Sequence, residues 1–304
     1  MRKIIRRLFN KFGYEIIRTS TEYRGDRNKT HKVNVGNFIL SMPGNNPLVR
    51  HYERFPKYNI KLGQLAGIIL KKYPDAVMLD VGANVGDTVA VVRSAVNIPI
   101  IAVEGDEFTY SFLQKNAPLF EQLEIINQFL GEESKEQSVD MLKEGWNTTI
   151  IPKESNSGNS KVLNFKTLDD VLTVSKFGRS KKVKLIKVDA EGYDTIILRG
   201  ALKTIAEFKP VLFFEYNREN MDTIGEMGLP TLFSMANYGY DRIAILDNHN
   251  RCVVHTTLSQ KDIIKQLHDY ADGEKGLIPH YDICIFHSLD SDILDEFLNF
   301  PPEN

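Results

Sequence analysis

The sequence predicts an α/β fold, an open doubly wound sheet that is mostly parallel and covered by helices on both faces. Three observations carry this. Short apolar runs of strand length recur at 77–79, 100–103, 123–126, 183–188 and 211–214. Mostly apolar runs of that length suit strands buried on both faces. Helical stretches at 87–97, 107–117 and 195–206 separate them, and strand–helix alternation builds βαβ units around a parallel sheet. The first run also opens into a glycine-bearing turn and a helix, VMLDVGANVGDT from Val77 to Thr88. That arrangement places a ligand crevice beyond the carboxyl ends of the strands.

Taken in order, the chain begins with a basic amphipathic stretch. Over residues 1–18, Arg2, Lys3, Arg6, Arg7, Lys11 and Arg18 oppose Glu15, while Ile5, Leu8, Phe9, Phe12 and Ile16 recur at helical spacing. Two readings stand: a helix lying on an anionic membrane surface, or one packed on its own domain or a second subunit. It lacks the apolar core and cleavage site of a signal peptide. Residues 19–35 read as a loop and 35–42 as a short strand stopped by Pro43-Gly44. Residues 45–59 read as irregular. Their Arg50, His51, Tyr52, Arg54 and Tyr58 suit either a substrate wall or a solvated loop. Leu62, Leu65 and Ile69 predict a helix over 60–72, ended by Pro74. After the third core strand, the polar segment 131–160 predicts a hairpin around 146–151. Next come a strand at 162–165 and a helix at 168–174. A helix with ill-defined ends runs through Met221 and Leu232, and strands at 242–246 and 282–286 flank a helix at 259–270. This close permits an antiparallel last strand. Residues 1–58 are assigned to an N-terminal extension and 59–304 to the main domain.

Composition bounds the function. The 304 residues are 42% hydrophobic and 26% charged, an ordinary soluble globular balance. A net charge of −2 gives no bulk attraction to nucleic acid. The two cysteines, Cys252 and Cys284, exclude a disulfide scaffold and match no metal spacing. Free thiols suit a reducing compartment, so a cytoplasmic location is expected. No apolar stretch approaches the length of a membrane span.

The glycine turn narrows the ligand. A dinucleotide fingerprint needs G-x-G-x-x-G, whereas Gly82 and Gly86 here enclose three residues and Asn84 stands where a second glycine would. Asp80 precedes the loop; a carboxylate there repels phosphate and suits a cationic amine. S-adenosylmethionine carries an ammonium and a sulfonium and no phosphate. Eighteen residues past Gly86, Glu104 ends the next strand, where an acid suits both ribose hydroxyls. Asp80, Gly82, Asn84, Gly86, Thr88 and Glu104 therefore read as an S-adenosylmethionine site, with Thr88 in the first turn of the helix whose free N–H groups face the crevice. A plain strand–turn–helix without a ligand is the alternative.

A second acidic constellation lies in LIKVDAEGYDTIILRGA, Leu185 to Ala201. Asp189 and Glu191 follow the apolar run and are placed at the strand's carboxyl end, facing the cofactor's methyl group if this strand neighbours the first. Glu215 ends the next strand in the same way. The competing reading, acids complementing a helix dipole, fits Asp194 better than Asp189.

At these stretches the chain resembles the FkbM family of S-adenosylmethionine-dependent methyltransferases. The resemblance rests on LDVGANVGDT at 79–88, AVEGDE at 102–107, FKTLDDVL at 165–172, IKVDAEGYDTIILRGA at 186–201 and FFEYN at 213–217. It implies the Rossmann-like class I methyltransferase sheet of seven strands, the last antiparallel, and methyl transfer to a hydroxyl oxygen. The family commonly has proline after the ribose acid; here Gly105 follows Glu104. Members often occur among enzymes of polysaccharide biosynthesis. The expected acceptor is therefore a hydroxylated glycan or lipid-linked glycan, and residues 1–18 would give peripheral contact with the inner membrane face. For the reaction, Glu191 is the first choice of base and Asp189 the second. A Mg²⁺ ion held by Asp189, Glu191 and Glu215 is the alternative; no metal is expected. Among the histidines, His280 before the last strand is best placed to reach the site. A nicotinamide-dependent oxidoreductase would need a third glycine and no acid before the loop. A non-catalytic partner protein of the same fold is the remaining rival. Acceptor identity and oligomeric state are left open by the sequence.

Overall fold

A computed structural model describes residues 26–144, 147–153, 160–247, 250–271 and 280–300; the amphipathic stretch 1–18 lies outside them. In chain order the strands are β1 (Thr30–Val35), β2 (Phe38–Pro43), β3 (Ala76–Val81), β4 (Ile100–Glu104), β5 (Leu123–Asn127), β6 (Phe129–Leu130), β7 (Lys135–Glu144), β8 (Asn147–Pro152), β9 (Lys161–Lys166), β10 (Lys182–Val188), β11 (Val211–Tyr216), β12 (Tyr240–Leu246), β13 (Cys252–Thr257) and β14 (Tyr281–His287).

The central sheet runs β13-β12-β14-β11-β10-β3-β4-β5. Pairs from β11 to β5 are parallel. The last strand, β14, inserts antiparallel between β11 and β12. The mostly parallel sheet with an antiparallel last strand is as the sequence predicts, but there are eight strands, not seven. The extra one, β13, pairs antiparallel with β12 at the edge. Its residues are all exposed or half-buried, so it has no apolar run to announce it.

Side-chain alternation along the central strands feeds two cores. In β3, which is buried throughout, Ala76 and Met78 join one face, against helices Ile60–Lys72, Asp87–Ala95 and Ser291–Leu298. Val77, Leu79 and Val81 join the other, against helices Leu168–Val174, Asp194–Arg199, Leu202–Phe208 and Lys261–Tyr270. The helix predicted over 195–206 is thus two short ones. They part at Gly200, where a Cβ would meet the Gly131 carbonyl oxygen at 2.2 Å. The segment through Met221 and Leu232 is likewise two helices, Arg218–Ile224 and Leu229–Ser234, the second opening with a proline. Among the described residues no helix is long and apolar enough to cross a membrane.

Two segments read as loop or irregular, 30–35 and 48–54, are ordered, and the strand read at 35–42 is present as β2. Residues 30–43 form the hairpin β1–β2, whose Val33, Val35, Leu40 and Met42 join the first core. Residues 48–54 form helix Leu48–Arg54, with the Leu48 N–H donating to Asn46 Oδ1 at 2.9 Å; seven residues are too few for a helical period to stand out. Between β5 and β10 a second sheet is inserted, in the order β6-β9-β7-β8. It contains the predicted hairpin as β7–β8 and the predicted strand at 162–165 as β9.

Candidate functional site

The site is built where β3, β4, β10 and β11 end side by side. After β3 the chain turns through Gly82 at φ 70°, and a Cβ there would lie 1.8 Å from the Asp189 carbonyl oxygen. The loop thus presses directly on the end of β10, which only glycine allows. Asn84 follows at φ 49°, a left-handed conformation that asparagine tolerates. Its N–H donates to Glu104 Oε2 at 2.9 Å, and the Asp106 N–H donates to Glu104 Oε1 at 2.9 Å. One carboxylate therefore ties the glycine loop to the turn after β4. Burial pushes the Glu104 carboxyl up to about 7 against the pull of these two N–H groups. A Cβ at position 105 would come 2.4 Å from the Phe129 ring. A proline there would strike that ring, which accounts for the departure from the family pattern.

Asp80 lies beneath the loop and is fully buried. Its cross-strand partner in β10 is Lys187, whose Nζ is 3.3 Å from Asp80 Oδ1 and 3.6 Å from Asp189 Oδ2. The same ammonium donates to the Gly82 carbonyl at 3.3 Å. Burial disfavours the lysine's charge, but Asp80, Asp189 and Asp87 outweigh it and hold Lys187 protonated above the usual lysine range. Burial raises Asp80, with Lys187 opposing. Asp87, at the start of the following helix, is also buried and accepts from the Tyr52 hydroxyl at 3.0 Å. Burial lifts its pKa to about 6 despite Lys187 and Tyr52.

Above these groups opens a cleft of about 310 Å³. Gly82, Asn84, Asp87 and Thr88 line one side and Glu104, Asp106, Gln128 and Phe129 the next. Asp189, Glu191, Tyr193 and Glu215, at or just beyond the ends of β10 and β11, line it too, as do Tyr58 and Ile150. Of the residues expected from sequence, Gly82, Asn84, Thr88, Glu104, Asp189 and Glu191 face one cavity. Asp80 is under its floor. Gly86, at φ 88°, precedes the first turn of helix Asp87–Ala95. Asp189 is half exposed. Glu191 adopts φ 49°, and its Oε2 accepts from Asn220 Nδ2 at 2.8 Å. Burial, then Asp189, Asp194, Glu191 and Asp282, push Glu215 well above the carboxylate range; its Oε1 is 3.7 Å from His280 Nε2. Asp194 accepts from the Ala190 and Gly192 N–H groups at 3.3 Å each, the local helix-start role its position suggested. Among the described residues no group of three His, Cys, Asp or Glu side chains is arranged to hold a metal ion.

Sequence reasoning missed Lys187, Asp87, Gln128 and Phe129. The signal for Lys187 was present: a lysine inside a buried strand needs a carboxylate partner. Gln128 joins β5 to β6 and Phe129 opens β6, with no motif to mark them.

The family model described as Methyltransferase FkbM domain matches residues 80–242. Three solved structures are similar to parts of the chain. The methyltransferase FkbM from Methylobacillus flagellatus KT is 17% identical with a TM-score of 0.37, the match covering 54% of this chain and 38% of that one. The present chain thus spans well under half of that relative. A precorrin-6y C5,15-methyltransferase from Geobacter metallireducens GS-15 is 13% identical, TM-score 0.34, over 74% of this chain and 88% of that one. A putative caffeoyl-CoA O-methyltransferase from Staphylococcus aureus is 11% identical, TM-score 0.40, over 79% and 90%. None of the curated proteins compared with the chain matches it.

Proposed function

The chain belongs to the FkbM family of S-adenosylmethionine-dependent methyltransferases, and from that premise we propose that it methylates a hydroxyl oxygen on a glycan or related metabolite. The observation that supports the site assignment is the Asn84 N–H bond to Glu104, which joins the glycine loop and the ribose acid into one cradle. The donor set suits the cofactor. Among the described residues lining the cleft, the basic side chain, Lys187, is engaged by Asp80 and the Gly82 carbonyl, so none of these offers a free cation to a phosphate, while carboxylates are at hand for cationic groups. S-adenosylmethionine, when bound, supplies a methyl group on a sulfonium that leaves as a neutral thioether, so no acid is needed for the leaving group.

The protein's own part is to hold the acceptor in line, exclude water and take one proton. Glu104 receives the ribose hydroxyls with the lone pairs that its two backbone bonds leave. Tyr58 and Ile150 line the cleft and add apolar surface to it. Glu191 takes the hydroxyl proton in this reading, with Asp189 as its neighbour. Burial, then the neighbouring acids, raise Glu215 on the same rim. The test is the rate of labelled methyl transfer to hydroxylated glycan acceptors by Glu191→Gln and Asp189→Asn. Loss of the base is expected to lower kcat by about 10²-fold or more, with cofactor affinity kept. Near-normal turnover in Glu191→Gln would shift the role to another acid.

A further inference from the structure

Each methyl transfer to a hydroxyl releases one proton. The oxygen gains the methyl carbon, the carbon–sulfur bond breaks with its electron pair going to sulfur, and the hydroxyl proton goes to Glu191. While Glu191 holds that proton it cannot take another, so the cleft needs a way to pass it on. The last strand offers one. Because β14 runs antiparallel to β11, it begins at the edge where β11 ends, and it brings His280, one residue ahead of it, to that edge. There His280 Nε2 lies 3.7 Å from Glu215 Oε1. Glu215 lines the cleft, and a quarter of the His280 side chain is exposed, so the pair leads from the cleft toward the surface. The separation is slightly longer than a hydrogen bond, and contacts of this kind commonly tighten once substrates are in place. The groups set against the pair are Asp189 and Glu191 beyond β10, Asp194 at the start of the next helix, Asp282 in β14, and Tyr58; Lys187 offsets Asp189. Burial, then Asp189, Asp194, Glu191 and Asp282, raise Glu215, while burial lowers His280 against the pull of Asp189. A carboxyl pushed up and an imidazole pushed down approach each other in proton affinity, so that one proton belongs to both.

We infer that Glu215 and His280 share one proton and carry it out of the cleft after each methyl transfer. Glu191 stands near enough for its charge to bear on Glu215. Glu215 gives its own proton to Nε2 of the neutral imidazole as it receives the one from Glu191, and the imidazolium releases it to solvent. The neutral ring must then carry its hydrogen on Nδ1, which leaves Nε2 to accept. His280 touches neither acceptor nor cofactor; it acts through Glu215 and is a positioning residue. This inference rests on the methyltransferase reading of the site.

The experiment follows the histidine ring signals of the full-length protein, loaded with S-adenosylhomocysteine, by NMR across pH. His280 is assigned from the signal lost in His280→Gln. In Glu215→Gln the His280 titration is expected to move down by about one pH unit or more, the scale of removing an opposite charge at this distance. Should Glu215→Gln fail to fold, the Glu215 carboxyl signal makes the same test, and it is expected to titrate higher in His280→Gln than in wild type. In labelled methyl transfer to hydroxylated glycan acceptors, His280→Gly is expected to lose about tenfold in kcat, less than loss of the base itself, with KM unchanged. Added imidazole is expected to restore the rate, which it would not do for a structural role. An unshifted His280 titration in folded Glu215→Gln, wild-type kcat in folded His280→Gly, or a loss that imidazole does not restore would overturn the inference. Failure of S-adenosylhomocysteine to bind wild type would instead overturn the underlying reading of the cleft. A coupled titration in a wild type that transfers no label to these glycans would overturn the glycan acceptor and leave the shared proton standing.

Discussion

Lys187 sits where two of the site's acids, Asp80 and Asp189, meet a cation. Its ammonium lies between Asp80 and Asp189 and touches the Gly82 carbonyl, so it fixes the floor of the cleft and the loop above it together. Replacing one member of a buried ion pair costs far more than the pair's net worth, because the other charge is left without compensation. Lys187→Met is expected to destabilise the protein by about 3–5 kcal/mol in urea unfolding, and adding Asp80→Asn to restore much of that. A loss below about 1 kcal/mol would mean that the pair carries little. At this scale the sequence was legible where a residue type declares its chemistry at a strand end, as for Glu104, Asp189 and Glu191. It was less so where two motifs complete each other. LDVGANVG shows an acid seeking a cation and IKVDAEG shows a buried lysine; only the pairing of β3 with β10 joins them. Asp80 was read as a ligand for the cofactor's amine, whereas its side chain meets Lys187 under the loop.

The hairpin β1–β2 shows how an element outside the main motif reaches the site. Buried Asn116 accepts from the Ser41 N–H at 2.8 Å and donates to the Ser41 carbonyl at 3.0 Å and the Val85 carbonyl at 2.8 Å. One amide thus clamps β2 to helix Glu107–Asn116 and to the glycine loop. Truncation leaves buried backbone groups unpaired, each worth about 1–3 kcal/mol. Asn116→Ala is therefore expected to cost about 2–4 kcal/mol on that scale and to weaken S-adenosylhomocysteine binding, since the Val85 carbonyl is released. Full affinity in a destabilised variant would show that the hairpin does not shape the loop. Elements such as β3 and β10 were legible because both faces are buried and apolar residues predominate, with Asp80 in β3 and Lys182, Lys184 and Lys187 in β10 as the exceptions. The strand β1 was not, since of its six residues only Val33 and Val35 turn inward. The edge strand β13 escaped for the same reason, and the inserted sheet was seen only as a hairpin and a lone strand.

Across the whole molecule, residues from positions 80, 104, 189 and 215 converge because the sheet order places β11, β10, β3 and β4 side by side. Parallel strands point their carboxyl ends to one edge, and that edge is where the motifs sit. Strand type and motif position were therefore enough to anticipate the acidic, glycine-looped side of the cleft. Its other walls come from Tyr58, Gln128, Phe129 and Ile150, contributed by segments that connect or interrupt the regular pattern. Loops choose substrates and carry little periodicity, so this half was visible only in the folded chain. The glycine loop and Glu104, joined by the Asn84 N–H bond, are the proposed adenosyl cradle. The most direct test is calorimetric binding of S-adenosylmethionine, S-adenosylhomocysteine and NADH to wild type and to Glu104→Ala, with folding checked by thermal melting. The account predicts micromolar binding of both adenosyl ligands to wild type, its loss in Glu104→Ala, and no binding of NADH. Unchanged affinity in a folded Glu104→Ala, or NADH binding in preference to the adenosyl ligands, would contradict it.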